Sequence, residues 1–114
     1  MRVKGGVMTK KRHKSILKQA KGFKDKRHNV YSLARRAVMM AGKNAYVGRK
    51  VKKRDFRTLW IARLNAALKP FNISYSQFIY KLTRKQVGIN RKMLSELAIS
   101  QPTVFEEVVK VVVA

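Results

Sequence analysis

An all-α fold, with a long basic helical N-terminal extension followed by a small C-terminal helical bundle, is what this sequence predicts. Three observations carry that expectation. Residues 1–58 hold twenty of the 28 Lys and Arg against two acids, a net of +18, whereas residues 59–114 hold eight against three, a net of +5. Between Asn29 and Pro70 nothing obliges a helix to stop. Beyond Pro70, three short segments place apolar residues at helical spacing. The expected organisation is a basic extension over 1–58 and a compact all-α domain over 59–114.

The elements follow in order. MRVKGGVMT, residues 1–9, has paired glycines and no usable periodicity, so it reads as an extended arm. KKRHKSILKQAKGF predicts a helix from about Lys10 to Lys21, ended by Gly22. Its substantial apolar side chains are Ile16 and Leu17, with basic residues around most of the circumference. That is little apolar surface for a helix standing alone, and it should order when phosphates surround it.

A long helix is expected next, capped by Asn29 and reaching to Pro70. Val30, Ala34, Ala37, Val38, Ala41 and Ala45 share one face of it. The face is mostly small, which suits close approach of another backbone, although alanines are also simply good helix formers. Gly42 and Gly48 weaken the helix locally. Unbroken, residues 29–69 would reach about 60 Å at 1.5 Å per residue.

GRKVKKRDFRTLWIARLNAALKP, residues 48–70, changes chemistry inside that helix without a Pro, Gly or Ser cluster. At 100° per residue, Arg49, Lys53 and Arg57 lie close to one line with Trp60, Leu64 and Ala67. The stripe continues while its partner changes from anion to apolar core. Arg49, Lys50, Lys52, Lys53, Arg54 and Arg57 span more than half the circumference, and only Asp55 interrupts them. Solvated faces usually mix signs, so contact with phosphates is the sharper reading and a solvated run the blander one.

The C-terminal segments carry ordinary folding signals. Ser74 and Gln77 fit a capping box, with Ile73 and Phe78 as its hydrophobic staple. Tyr75, Phe78, Ile79 and Leu82 then share a core-facing side. Asn90 fits the cap of a helix bearing Met93, Leu94, Leu97 and Ala98. Thr103 and Glu106 offer a second box-like start before Phe105, Val108, Val109 and Val112. The run VVKVVV is β-branched, so a strand there stays open. The expected core is Phe56, Trp60, Leu64, Phe78, Ile79, Leu82, Leu94, Leu97 and Phe105, with Trp60 at its centre; a base-stacking surface is the alternative for Trp60.

The net charge of +23 on 114 residues makes a free globule repel itself, so a polyanionic partner is expected. Nucleic acid comes first, because phosphate neutralisation releases counterions and gives a large sequence-independent affinity. An anionic membrane is the competitor. With no cysteine, a disulfide framework and a thiolate metal site are both out of reach. No apolar run approaches the roughly 18 residues of a membrane span, and the basic N-terminus lacks the hydrophobic region of a secretory signal. The protein is therefore expected to stay in the compartment where it is made.

Catalysis finds little support. Glu106 and Glu107 are adjacent and share no helix face, while Asp25, Asp55 and Glu96 are scattered. His13 and His28 lie among cations without ligand-spaced neighbours, so no metal is expected. AVMMAGKN, residues 37–44, lacks the first glycine and the final Ser or Thr of a phosphate loop. No cofactor and no small-molecule substrate are expected.

RHKSILKQAKGF (12–23), FRTLWIARLNAA (56–67), ISYSQFI (73–79) and INRKMLSELA (89–98) resemble, in order, the signatures of the bacterial large-subunit ribosomal protein twenty family. The resemblance covers most of the chain, and FRTLWIARLNAA is very specific. It implies a long basic extension and an all-α C-terminal domain. It also implies direct binding to large-subunit (23S-type) ribosomal RNA, contact with neighbouring large-subunit proteins and a role early in subunit assembly. The implied location is the ribosome in the bacterial cytoplasm, or in an organelle that encodes a homologue. Some members also repress translation of their own messenger. Departures are Gly5 and Gly6 where another basic residue is usual, Asn90 where aspartate is common, and the valine-rich end at 108–113.

The residues then expected to face RNA are Arg2, Lys4, Lys10, Lys11, Arg12, His13, Lys14, Lys18, Lys21, Lys24, Arg27, Arg35 and Arg36, followed by Arg49, Lys50, Lys52, Lys53, Arg54 and Arg57. A histone-like DNA-compacting protein would share the charge but prefer duplex DNA. A membrane-active cationic peptide would need segregated apolar faces, which basic residues nearly all round the first helix argue against.

Overall fold

The computed structural model describes residues 2–114, so Met1 of the expected arm lies outside the described residues. Five α-helices account for most of it: α1 (Gly6–Gln19), α2 (Tyr31–Leu68), α3 (Tyr75–Arg84), α4 (Arg91–Ser100) and α5 (Pro102–Val113). Short 3-10 turns at Asp25–His28 and Lys69–Phe71 flank α2. The chain divides into two compact units, Met1–Lys50 and Val51–Ala114.

In the first unit, α1 begins four residues earlier than expected. Gly5 and Gly6 adopt φ values of 81° and 43°, and Thr9 N–H donates to the Gly5 carbonyl at 3.3 Å. The paired glycines thus turn the chain into the helix, where a reading that seeks a Ser, Thr, Asp or Asn cap sees an extended arm. The other end comes at Gln19, with Ala20 in the cap position and Gly22 left-handed two residues on. α2 starts at Tyr31, so Val30 and not Asn29 occupies its cap position, and the Ala34 N–H reaches the Val30 carbonyl at 2.8 Å. Along its small face, Ala34 is fully buried, Ala37 and Val38 are half-buried, and Ala41 and Ala45 are exposed. The small residues therefore serve packing only over the first turns. α2 continues through Gly42 and Gly48.

The second unit has a conventional core. Leu64 and Leu68 of α2 join Phe78 and Leu82 of α3, Leu94 of α4, and Phe105, Val109 and Val112 of α5 in one buried cluster. Ile79 and Leu97 pack against it, half-buried. Phe56 and Trp60 do not belong to it, which corrects their assignment to the core. Phe56 is 44% exposed, and Trp60 is half-buried outside the cluster. Phe56 lies eight residues before Leu64, about 12 Å along the axis at 1.5 Å per residue, beyond the reach of the short helices. The periodic stripe is real; the bundle covers only its last two turns.

Local chemistry explains the short helices. The Ser74 hydroxyl accepts from the Gln77 N–H at 3.4 Å while Gln77 Oε1 accepts from the Ser74 N–H at 3.4 Å, a reciprocal box. The Asn90 side chain accepts from the Met93 N–H at 2.9 Å and caps α4. α5 starts at Pro102, one residue before the expected Thr103 box, with Gln101 as cap and no side-chain capping bond. Proline at the first helical position needs no N–H partner and has its φ already set.

The valine-rich end is helical. Phe105, Val109 and Val112 are buried at spacings of four and three, one side of a helix; a strand would send Val109 and Val112 to opposite faces. Each buried valine contributes about 1.5–3 kcal/mol, which exceeds its helix-propensity penalty of about 0.5 kcal/mol. α3 and its C-terminal cap residue also close the end of α5: Lys85 Nζ donates to the Val111 carbonyl at 2.6 Å, and Lys81 Nζ to the Val113 carbonyl at 3.2 Å. Cations at a helix C-terminus satisfy orphan carbonyls and oppose the helix dipole.

Candidate nucleic-acid interface

The cations are presented, not packed away. All twenty Lys and Arg of residues 2–58 are exposed, among them every one assigned above to RNA contact. Lys26 and Lys43 belong to the same exposed set although the sequence pattern did not single them out; membership of the charge run was the signal. The exception among the assigned residues is His13, which is half-buried.

Two shallow grooves in the first unit gather part of this charge. One runs along α1 and is lined by Lys4, Gly5, Gly6, Thr9, Lys10, His13, Lys14 and Leu17, with a volume of about 410 Å³. The helical repeat accounts for the series Gly6, Lys10, His13 and Leu17, which rises along one face. The second, of about 350 Å³, is lined by Tyr31, Ser32, Arg35, Arg36 and Met39 at the start of α2. His13 of the first groove and Tyr31 of the second are stacked, with ring centroids 3.7 Å apart and planes 17° from parallel. Eighteen residues separate them in sequence, so no local pattern announces the contact.

The remaining assigned cations line neither groove. Lys11, Arg12 and Lys18 project elsewhere on α1, and Lys21, Lys24 and Arg27 follow it in the connection to α2. Arg49, Lys50, Lys52, Lys53, Arg54 and Arg57 are exposed on α2. Two of them sit over aromatic rings one turn away: Lys50 Nζ is 4.9 Å from the Tyr46 centroid, and Lys52 Nζ is 5.9 Å from that of Phe56. Each of these exposed rings thus has a cation beside it, and Phe56 tilts toward Trp60 with centroids 6.2 Å apart. Tyr46 was not singled out in the sequence; its spacing of four from Lys50 was the available signal.

Other basic side chains are used inside the fold. Lys81 and Lys85 hold the end of α5, and Arg91 Nε donates to the Tyr75 hydroxyl at 2.6 Å. Arg84 lies over the exposed ring of Tyr80 at 5.4 Å.

Such a surface can neutralise phosphates and offer rings to bases; among the described residues it brings no reacting groups together. Among the described residues, no three His, Cys, Asp or Glu side chains cluster as metal ligands. No described helix is long and apolar enough to cross a membrane.

The family profile of Ribosomal protein L20 matches residues 2–108. The chain is 52% identical over 108 residues to the large ribosomal subunit protein bL20 of Neorickettsia sennetsu, covering 95% of this chain and 92% of that protein. It is 52% identical over 111 residues to bL20 of Mycoplasmopsis synoviae, with 97% and 96% covered. To bL20 of Malacoplasma penetrans it is 53% identical over 109 residues, with 96% and 95% covered. The exposed cationic surface and these near full-length matches lead to one assignment: the chain belongs to the ribosomal protein L20 family, non-enzymatic ribosomal proteins of the large subunit.

Proposed function

We propose that this chain is a structural constituent of the large ribosomal subunit that binds 23S-type ribosomal RNA directly and supports early subunit assembly. One observation carries the reading: twenty cations over residues 2–58, all exposed, against the two acids Asp25 and Asp55. Phosphate contact is the interaction that uses so many like charges at once. In this reading residues 1–58 work as the RNA-embedded extension and residues 59–114 as the compact domain, in the bacterial ribosome and beside neighbouring large-subunit proteins. Repression of its own messenger would draw on the same cations and the same preference for folded RNA.

Chemical footprinting of large-subunit RNA with the purified protein tests this. Protections confined to a few RNA helices, retained against excess duplex DNA, are expected. Equal competition by duplex DNA would favour the histone-like reading instead.

A further inference from the structure

We propose that the groove along α1 takes an unpaired nucleotide of the bound RNA, with its base stacked on the outer face of His13. The inference rests on the RNA-binding reading and adds a specific contact to it. The inner face of His13 lies against Tyr31 at 3.7 Å and 17°. His13 is nevertheless only half-buried and lines the groove, which leaves part of its ring open beside that space. A two-ring stack that ends at an open groove is a platform to which a third ring adds without displacing anything.

The surroundings match a nucleotide. Lys4, Lys10 and Lys14 line the same groove, the latter two one turn before and one residue after His13. They supply cations for the phosphates on either side of a base held at His13. Gly5 and Gly6 contribute no side chains to the groove, and a Cβ at Gly5 would come within 3.2 Å of the Thr9 hydroxyl. RNA modules commonly stack splayed bases on aromatic rings, histidine included, and such stacking tolerates any base because each has a π-face. Paired bases in a stem already have their faces covered, so an unpaired nucleotide is required. An acidic protein segment would use the lysines and leave the ring face idle.

The test uses the full chain, a large-subunit RNA transcript and the variants His13→Ala and His13→Phe. At fixed salt His13→Ala should weaken binding about tenfold, the scale of a single base stack, while His13→Phe stays within about twofold of the parent. The slope of log K against log salt should be the same for all three, because every phosphate contact is kept. One unpaired nucleotide protected by the parent and by His13→Phe should become reactive in the His13→Ala complex.

Three results would overturn the proposal. The first is a His13→Ala variant that matches the parent in both affinity and footprint, as expected if the groove meets a protein. The second is a slope that falls in His13→Ala and recovers in His13→Phe with no nucleotide exposed, which makes His13 only a support for α1. The third is a His13→Phe variant as weak as His13→Ala, which makes the contact polar. Absence of salt-dependent RNA binding by the parent chain would instead bring down the RNA reading itself.

Discussion

Lys85, the residue that caps the end of α3, donates its ammonium to the main-chain carbonyl of Val111 on α5, 2.6 Å away and 26 residues on in sequence. With Lys81 on Val113, one turn earlier along α3, it closes the terminus of a helix built from β-branched residues. Lys81→Ala and Lys85→Ala should each destabilise the C-terminal domain by about 0.5–1 kcal/mol, the scale of a cation at a helix C-terminus. The double variant should melt several degrees lower and show faster amide exchange at Val112 and Val113. Unchanged melting would mean that the two bonds form at no net gain over hydration.

The division between bundle and surface predicts opposite outcomes for two aromatic side chains on the same chain. Phe78 is fully buried, and Phe78→Ala should cost about 3–5 kcal/mol, enough to abolish cooperative unfolding of the C-terminal domain. Trp60 lies outside the buried cluster, so Trp60→Ala should cost markedly less. Thermal unfolding followed by circular dichroism separates the two. Equal losses would return Trp60 to the core.

That contrast shows what the sequence made legible and what it hid. Caps were readable because they are local: Ser74 with Gln77, and Asn90 with Met93, lie three residues apart and make the bonds that their spacing predicts. The stripe through Trp60 and Leu64 was readable as a stripe, but periodicity marks a face without saying how far along it a partner extends. The start of α1 was hidden because glycine conformation, not a capping side chain, begins it. The cationic surface was legible residue by residue from the charge run. The His13–Tyr31 stack was not, since it depends on a turn between α1 and α2 that no motif fixes.

Burial also predicts uneven protection in the free protein. In the first unit the fully buried apolar side chains are Ala20 and Ala34, two of the smallest available, whereas the second buries Phe78, Phe105 and four leucines, Leu64, Leu68, Leu82 and Leu94. Little apolar area means little free energy to oppose chain entropy. Amide exchange on the free chain should be fast through α1 and the start of α2 and slow after about residue 60. Strong protection at Ile16 or Val38 without RNA would show that the first unit holds itself together.

Exposed cations of residues 1–58, in the function proposed above, hold the protein to RNA through phosphates. The decisive measurement is the salt dependence of binding to large-subunit RNA, for the parent and for Arg49→Ala, Lys53→Ala and Arg57→Ala combined. Phosphate anchoring predicts a steep negative slope of log K against log salt for the parent. In the triple variant the slope should be shallower by about two to three, since each phosphate no longer neutralised removes near 0.7–0.9 from it. Melting of the C-terminal domain should be unaffected. A slope that stays the same in the triple variant, or a collapse of that domain's melting without a change of slope, would contradict phosphate anchoring by these residues.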